Sequence, residues 1–188
     1  TLIWTGDGNT PRSLTGLGFQ PDLVWTKQRT SGDNGKMTDS TRGVTKQVIS
    51  NSDAGESTDV GGVTAFGSDG FSIGTDNGYN QNGETYIAWC WRANGGTTTS
   101  NGTGSITSTV QANAEAGFKA PEFMLIKRRS SSQTWAVYSV GLGATKNVAL
   151  NNNNSAATGT AWFNDTEPSA TLITLGTEGR VNQSGGNY

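Results

Sequence analysis

The chain repeats itself. The stretch "QPDLVWTKQRTS" (20–31) returns as "APEFMLIKRRSS" (120–131), and "RGVTKQVISN" (42–51) returns as "LGATKNVALN" (142–151). Pro21, Lys27, Arg29, Ser31, Gly43, Thr45, Lys46, Val48 and Asn51 each find the same residue type 100 positions later, nine identities over residues 21–51. Chance gives about two at ordinary residue frequencies. Further on the offset is 102: Asn80, Gln81, Gly83 and Tyr86 return as Asn182, Gln183, Gly185 and Tyr188. A two-residue insertion in a loop explains the slip. A repeat constrains the fold before any element is assigned, because both copies must make the same supersecondary unit. At about 90 residues the unit is longer than a solenoid repeat and close to a small β-sandwich.

The repeat places a first domain at 1–95 and a second at 106–188. The intervening "GTTTSNGTGS" (96–105) has the composition of a flexible linker. The first copy runs on past Tyr86 into Ile87-Ala88-Trp89-Cys90-Trp91, whereas the second stops at Tyr188. The second sandwich is therefore expected to be incomplete at its C-terminus. Its closing strand would come from a continuation of the polypeptide or from another chain.

Within the first copy, short apolar runs bounded by Gly, Asn, Asp or Pro predict strands at about 2–5, 11–16, 22–28, 36–40, 45–50, 63–67, 70–75 and 84–92. Asp69-Gly70 between "VTAF" and "FSIG" predicts a tight hairpin. In the second copy "EFMLIKR", "TWAVYSV", "KNVAL", "TAWFN" and "TLITLG" take the strand places, and "QANAEAG" (111–117) could turn as a helix. The expected class is all-β, with two tandem related sandwiches. The last strand of the first copy is apolar on both faces, so it is expected to be covered on both sides. The expected core holds Trp25, Phe66, Phe71, Ile87, Trp89 and Trp91 in the first copy. In the second it holds Phe123, Leu125, Trp135, Val148, Trp162 and Leu172.

Chemistry is sparse. The chain has no His, which removes the usual general base, the usual serine triad and most zinc sites. The lone Cys90 sits in an apolar strand and reads as a small buried hydrophobe, and no internal disulfide can form. The Gly-rich segments fit neither a dinucleotide fingerprint nor a P-loop. No enzyme and no cofactor are expected. The exception worth weighing is calcium at the acidic loops 50–59 and 74–78, where hard oxygen ligands would suit it. A formal net charge of −2 gives no field for nucleic acid, and no apolar run is long enough for a membrane helix. Exposed aromatic rings stack on sugars, and Trp25, Trp135 and Trp162 are candidates for that role, set against an ordinary place in the core.

Taken as a set, "GLGFQPDLVWTKQR", "DSTRGVTKQVISN", "FGSDGFSIG" and "NGETYIAWCWRANGG" resemble repeats of tail-fibre and other structural proteins of bacteriophages. "GSITSTVQANAEAGF", "IKRRSSSQTWAVYSVGLGATKNVALN" and "TAWFNDTEPSATLITLGT" resemble the alternate form of that repeat. The resemblance implies concanavalin-A-like (jelly-roll) sandwiches. It further implies a virion component such as a tail fibre, tail spike or head decoration, at the particle surface and facing host glycans. Partners would be other virion subunits, in a homo-oligomer such as a trimer. A free-standing carbohydrate-binding lectin is the alternative.

Overall fold

The computed structural model describes residues 1–93, 99–110 and 120–188. Two compact units divide the chain, Thr1–Asn94 and Gly95–Tyr188. Short antiparallel strands make up almost all the regular structure of both.

Unit 1 contains β1 (Leu2–Thr5), β2 (Arg12–Thr15), β3 (Leu23–Gln28), β4 (Lys36–Asp39), β5 (Lys46–Ile49), β6 (Ser57–Thr58), β7 (Val63–Gly67), β8 (Gly70–Ile73), the one-turn helix α1 (Asn77–Asn80) and β9 (Thr85–Trp91). A six-stranded sheet runs β1-β9-β3-β4-β5-β6 and a three-stranded sheet β2-β8-β7. Trp4, Val24, Tyr86 and Ala88 from the large sheet meet Leu14, Val63, Phe71 and Ile73 from the small one, with Tyr79 of α1 between them. Trp4 stacks on Tyr86 at 5.3 Å and meets Phe71 edge-on. These aromatics fill the layer between the two sheets.

The tight hairpin is present, with Ser68-Asp69 as its loop rather than Asp69-Gly70, because Gly67 pairs with Gly70. Gly70 instead allows β8 to approach β2: a Cβ there would strike the Leu14 carbonyl oxygen. Asp69 accepts from the backbone N–H groups of Gly16 and Gly18, tying the hairpin to the β2 loop.

Strand β9 is central in its sheet, between β1 and β3, but only one face is covered. Tyr86 and Ala88 are buried and Cys90 half-buried. On the other face Ile87 is half-buried, while Trp89 and Trp91 are 37% and 46% exposed. The expectation that Trp89 and Trp91 belong to the core is thus wrong. The inner layer is filled by Trp4 stacked on Tyr86, which leaves room on β9 only for Ala88 and Cys90 beyond it. Phe71 is buried as expected; Trp25 and Phe66 are half-buried.

Unit 2 contains the hairpin β10 (Thr99–Asn101) and β11 (Ser108–Val110), then β12 (Phe123–Ile126), β13 (Ala136–Ser139), β14 (Lys146–Ala149), β15 (Ala157–Thr158) and the one-turn helix α2 (Gly179–Asn182). Strand β10 falls within the stretch expected to be a linker, and "QANAEAG" lies outside the described residues. The sheet order β12-β13-β14-β15 repeats β3-β4-β5-β6. Met37 pairs with Val48 and Val137 with Val148; Lys46 pairs with Thr58 and Lys146 with Thr158. Each of these lysines donates to its threonine hydroxyl, at 2.6 and 2.7 Å.

Two expected strands of unit 2 are not strands. "TAWFN" is a turn, in which Asn164 and Asp165 have φ of 52° and 49°. "TLITLG" runs without ladder pairing. Trp135 and Trp162 are buried as expected, and Leu125 and Val148 are half-buried. Phe123 is 60% exposed and Leu172 is also exposed, both against expectation. Phe123 stands on β12, which is an edge strand among the described residues, whereas its counterpart β3 is flanked by β9. The core of unit 2 gathers instead around Ala136, Tyr138, Ala144, Trp162, Phe163 and Val181.

Candidate functional site

Two backbone hydrogen bonds fix which residues of the two units correspond around the small helices. Gly74 N–H donates to the Gly62 carbonyl and Asp76 N–H to that of Gly61. In unit 2, Gly176 N–H donates to Trp162 and Glu178 N–H to Ala161. Trp162 therefore stands at the place of Gly62, and Arg180, two residues after Glu178, at the place of Gly78.

In unit 1 this place is full. The Lys36 side chain, 8% exposed, sends its Nζ to 2.6 Å from Asp76 Oδ2 and 3.9 Å from Asp59 Oδ2. It lies 4.7 Å from the centre of the buried Tyr79 ring. A Cβ on Gly62 would come within 3.2 Å of Tyr79 and closer to Asp59, and one on Gly78 would strike Lys36 and Asp33. Burial, then the neighbouring Asp76 carboxyl, pushes Asp59 up to about 6. Burial also works against the Asp76 charge, but the hydrogen bonds that Lys36 and the Gly78 N–H donate to it outweigh that cost and hold Asp76 below the usual carboxylate range. The two acidic loops that would suit calcium thus do meet, at Asp59 and Asp76, around a lysine ammonium. Among the described residues no group of three or more acidic, His or Cys side chains is arranged to hold a metal.

In unit 2 the lysine and one aspartate are gone: Ala136 stands for Lys36 and Gly159 for Asp59. Val181 replaces the Tyr79 ring. The space is partly refilled by Trp162, only 6% exposed, and by Arg180, whose guanidinium carbon lies 4.8 Å from the Trp162 ring centre. What remains is a cavity of about 240 Å³ lined by Asn147, Asn152, Asn154, Ser155, Trp162 and Arg180, with Ala149 and Ala157. Two buried polar atoms of this lining, Asn147 Oδ1 and Arg180 Nε, make no hydrogen bond. Arg180 Nε sits 2.8 Å from Glu178 Oε2, so its charge is balanced, but the N–H is not aimed at that oxygen. Leaving such groups unsatisfied costs about 1–3 kcal/mol each. A hydroxyl suits both, since it donates to the amide oxygen and accepts from the N–H.

Of the three tryptophans singled out in the sequence, only Trp162 lines this cavity. Trp25 is half-buried, donates Nε1–H to Ser50 Oγ at 3.2 Å and leans on Trp89 at 5.6 Å. Trp135 is buried, with Lys127 Nζ 5.9 Å from its ring. Arg180 and Asn147 were not foreseen. Their signal is comparative: Gly62 and Gly78 become Trp162 and Arg180, a gain of bulk at two neighbouring places. Cys90 is half-buried and its thiol is pushed up to about 11 by burial, so it stays a thiol.

No curated protein and no solved structure matches the chain. A family model matches twice, over residues 1–120 and 119–188, so the chain belongs to the family described as a domain of unknown function, DUF7483.

Proposed function

We propose that this chain is a non-enzymatic structural and adhesive module of a bacteriophage virion, and that unit 2 takes a host-surface glycan in the Trp162–Arg180 cavity. The cavity is the observation that carries the reading. It joins an aromatic ring, three asparagines and a serine to two buried polar atoms that lack partners. Convergent polar groups around an apolar ring are the ordinary make-up of a small-molecule site. Because Glu178 balances Arg180, the lining favours a neutral, hydroxyl-rich sugar over an anionic one. The virion setting is supported by the resemblance of the repeats to phage structural proteins. The structural part of the role is supported by the all-β frame of short antiparallel strands.

A glycan array on the purified chain, followed by calorimetry on the hits, tests this. Binding should fall more than about tenfold in Asn147→Ala and in Asn154→Ala, the loss expected when one or two hydrogen bonds go. A chain that binds no glycan, or binds one equally well after both changes, overturns the adhesive reading at this site.

A further inference from the structure

The Lys36 cluster of unit 1 has more than the geometry of an ion pair. A buried amine lies against a carboxyl, with Nζ 2.6 Å from Asp76 Oδ2. The other oxygen of that carboxyl, Oδ1, accepts from the Gly78 backbone N–H at 2.6 Å. A second carboxyl, Asp59, stands on the same amine at 3.9 Å; its Oδ1 is held by the Gly61 N–H, and its buried Oδ2 has no hydrogen-bond partner. The Tyr79 ring covers the amine. These are a nucleophile, an electrophile with a donor on its oxygen, and a carboxyl free to carry a proton.

We propose that Lys36 and Asp76 become joined by an intramolecular amide between Nζ and Cγ, with Asp59 relaying the proton. The Lys36 ammonium gives a proton to the Asp59 carboxylate, Asp59 passes it on to Asp76 Oδ2, and the freed amine attacks Cγ of the now neutral Asp76 carboxyl. Negative charge gathers on Asp76 Oδ1, where the Gly78 N–H holds it. The Cγ–Oδ2 bond then breaks. Oδ2 leaves as water with two of the three ammonium protons, one of them relayed by Asp59, and the third stays on the amide nitrogen. Nothing is oxidised or reduced and no co-reactant is needed. The reaction replaces the buried charge of Lys36 and the half-buried charge of Asp76 by a neutral amide, so it removes the desolvation cost that such an ion pair carries. A carboxyl pushed up to about 6 suits a group that takes and returns a proton near neutrality. Unit 2 cannot do this. It has lost the amine and the relay together, as Ala136 and Gly159.

Intact-mass spectrometry of the folded full chain decides the matter. The expected mass is one water below that of the sequence, with peptide mapping joining the segment around Lys36 to that around Asp76 and no tryptic cut after Lys36. Lys36→Arg keeps a cation but cannot form the amide, and should restore the sequence mass; Asp59→Asn should leave most molecules unlinked. A wild-type mass equal to that of the sequence after prolonged incubation overturns the proposal. So does a water loss that persists in Lys36→Arg or maps to another pair.

Discussion

The two units share one stretch of strand pairing, β3-β4-β5-β6 in the first and β12-β13-β14-β15 in the second, but fill the space around it in opposite ways. Where unit 1 has a large residue, unit 2 often has a small one, and a neighbour makes up the volume. Tyr79 faces Gly62 in unit 1; Val181 faces Trp162 in unit 2. Trp25 stands beside Gly35, whose Cβ would lie 3.2 Å from the indole nitrogen; in unit 2 the corresponding residues are Leu125 and Trp135. Close packing explains the pairing of these exchanges, since a core tolerates substitution best when total volume is kept. The charged residues do not follow the volume rule. Lys36 and Asp59 disappear together, while Trp162 and Arg180, at the places of Gly62 and Gly78, line a polar cavity.

The comparison breaks most simply in the two cores. Phe71 and Phe163 are both nearly fully buried. Phe71→Ala and Phe163→Ala should each cost about 3–5 kcal/mol in denaturant unfolding. A small loss for Phe163→Ala alone would mean that unit 2 has no packed core of its own.

A sharper test exchanges the volumes. Gly62→Trp drives a ring into Tyr79 and Asp59 and should cost about 1–3 kcal/mol or more. Adding Tyr79→Val and Lys36→Ala makes room, as in unit 2. The triple variant should then be more stable than the sum of the three single changes by about 1 kcal/mol or more, the non-additivity expected of residues in contact. Additive losses would show that the two fillings are unrelated.

The tyrosine that closes each copy of the NQ-x-G motif gives a smaller contrast. Tyr86 donates its hydroxyl to the Asn77 carbonyl at 2.6 Å and accepts from Gln81 N–H at 2.8 Å; Tyr188 does the same with Gly179 and Gln183. The motif recurs because this hydroxyl ties down a one-turn helix. Asn187 likewise accepts from Arg129 N–H, as Thr85 does from Arg29. Tyr86 is buried and Tyr188 is 40% exposed. Tyr86→Phe should therefore cost about 1–2 kcal/mol and Tyr188→Phe about 0.5 kcal/mol, because water replaces a lost partner only where it can reach. Equal losses would show that Tyr188 is shielded as well.

Much of this was legible in the sequence, and the failures have physical causes. Strands β1 to β5 and β7 to β9 lie where Gly, Asn, Asp and Pro bracket short apolar runs. The ladder equivalences of β12 to β14 follow the offset of 100. "TAWFN" misled because Trp162 and Phe163 are apolar for packing from a turn, and the turn signal was the Asn164-Asp165 pair. The candidate sites depend on side chains far apart in sequence. Lys36 and Asp76 are 40 residues apart, and no local spacing connects them. Asn147 and Arg180 meet only when the helix folds back on the strand. Only the alternation of β9 was open in principle. Either face could have been the inner one, since Tyr86-Ala88-Cys90 and Ile87-Trp89-Trp91 are both apolar.

That ambiguity yields the most pointed prediction. If bulk decided the inner face, Trp89 would be core, and Trp89→Ala would cost about 3–5 kcal/mol. The structure places Trp89 on the outer face, 37% exposed, leaning on Trp25 at 5.6 Å. The substitution then removes part of one aromatic contact and some strand propensity, each about 0.5–1 kcal/mol. The expected loss is about 1 kcal/mol. Ala88, its fully buried neighbour, makes the contrast: Ala88→Leu should be the worse change, by about 1–3 kcal/mol of overpacking against Trp4 and Tyr86. Unfolding curves of the two variants, side by side, read the orientation of β9 directly. A loss of several kcal/mol in Trp89→Ala with a tolerated leucine at position 88 would turn the strand over.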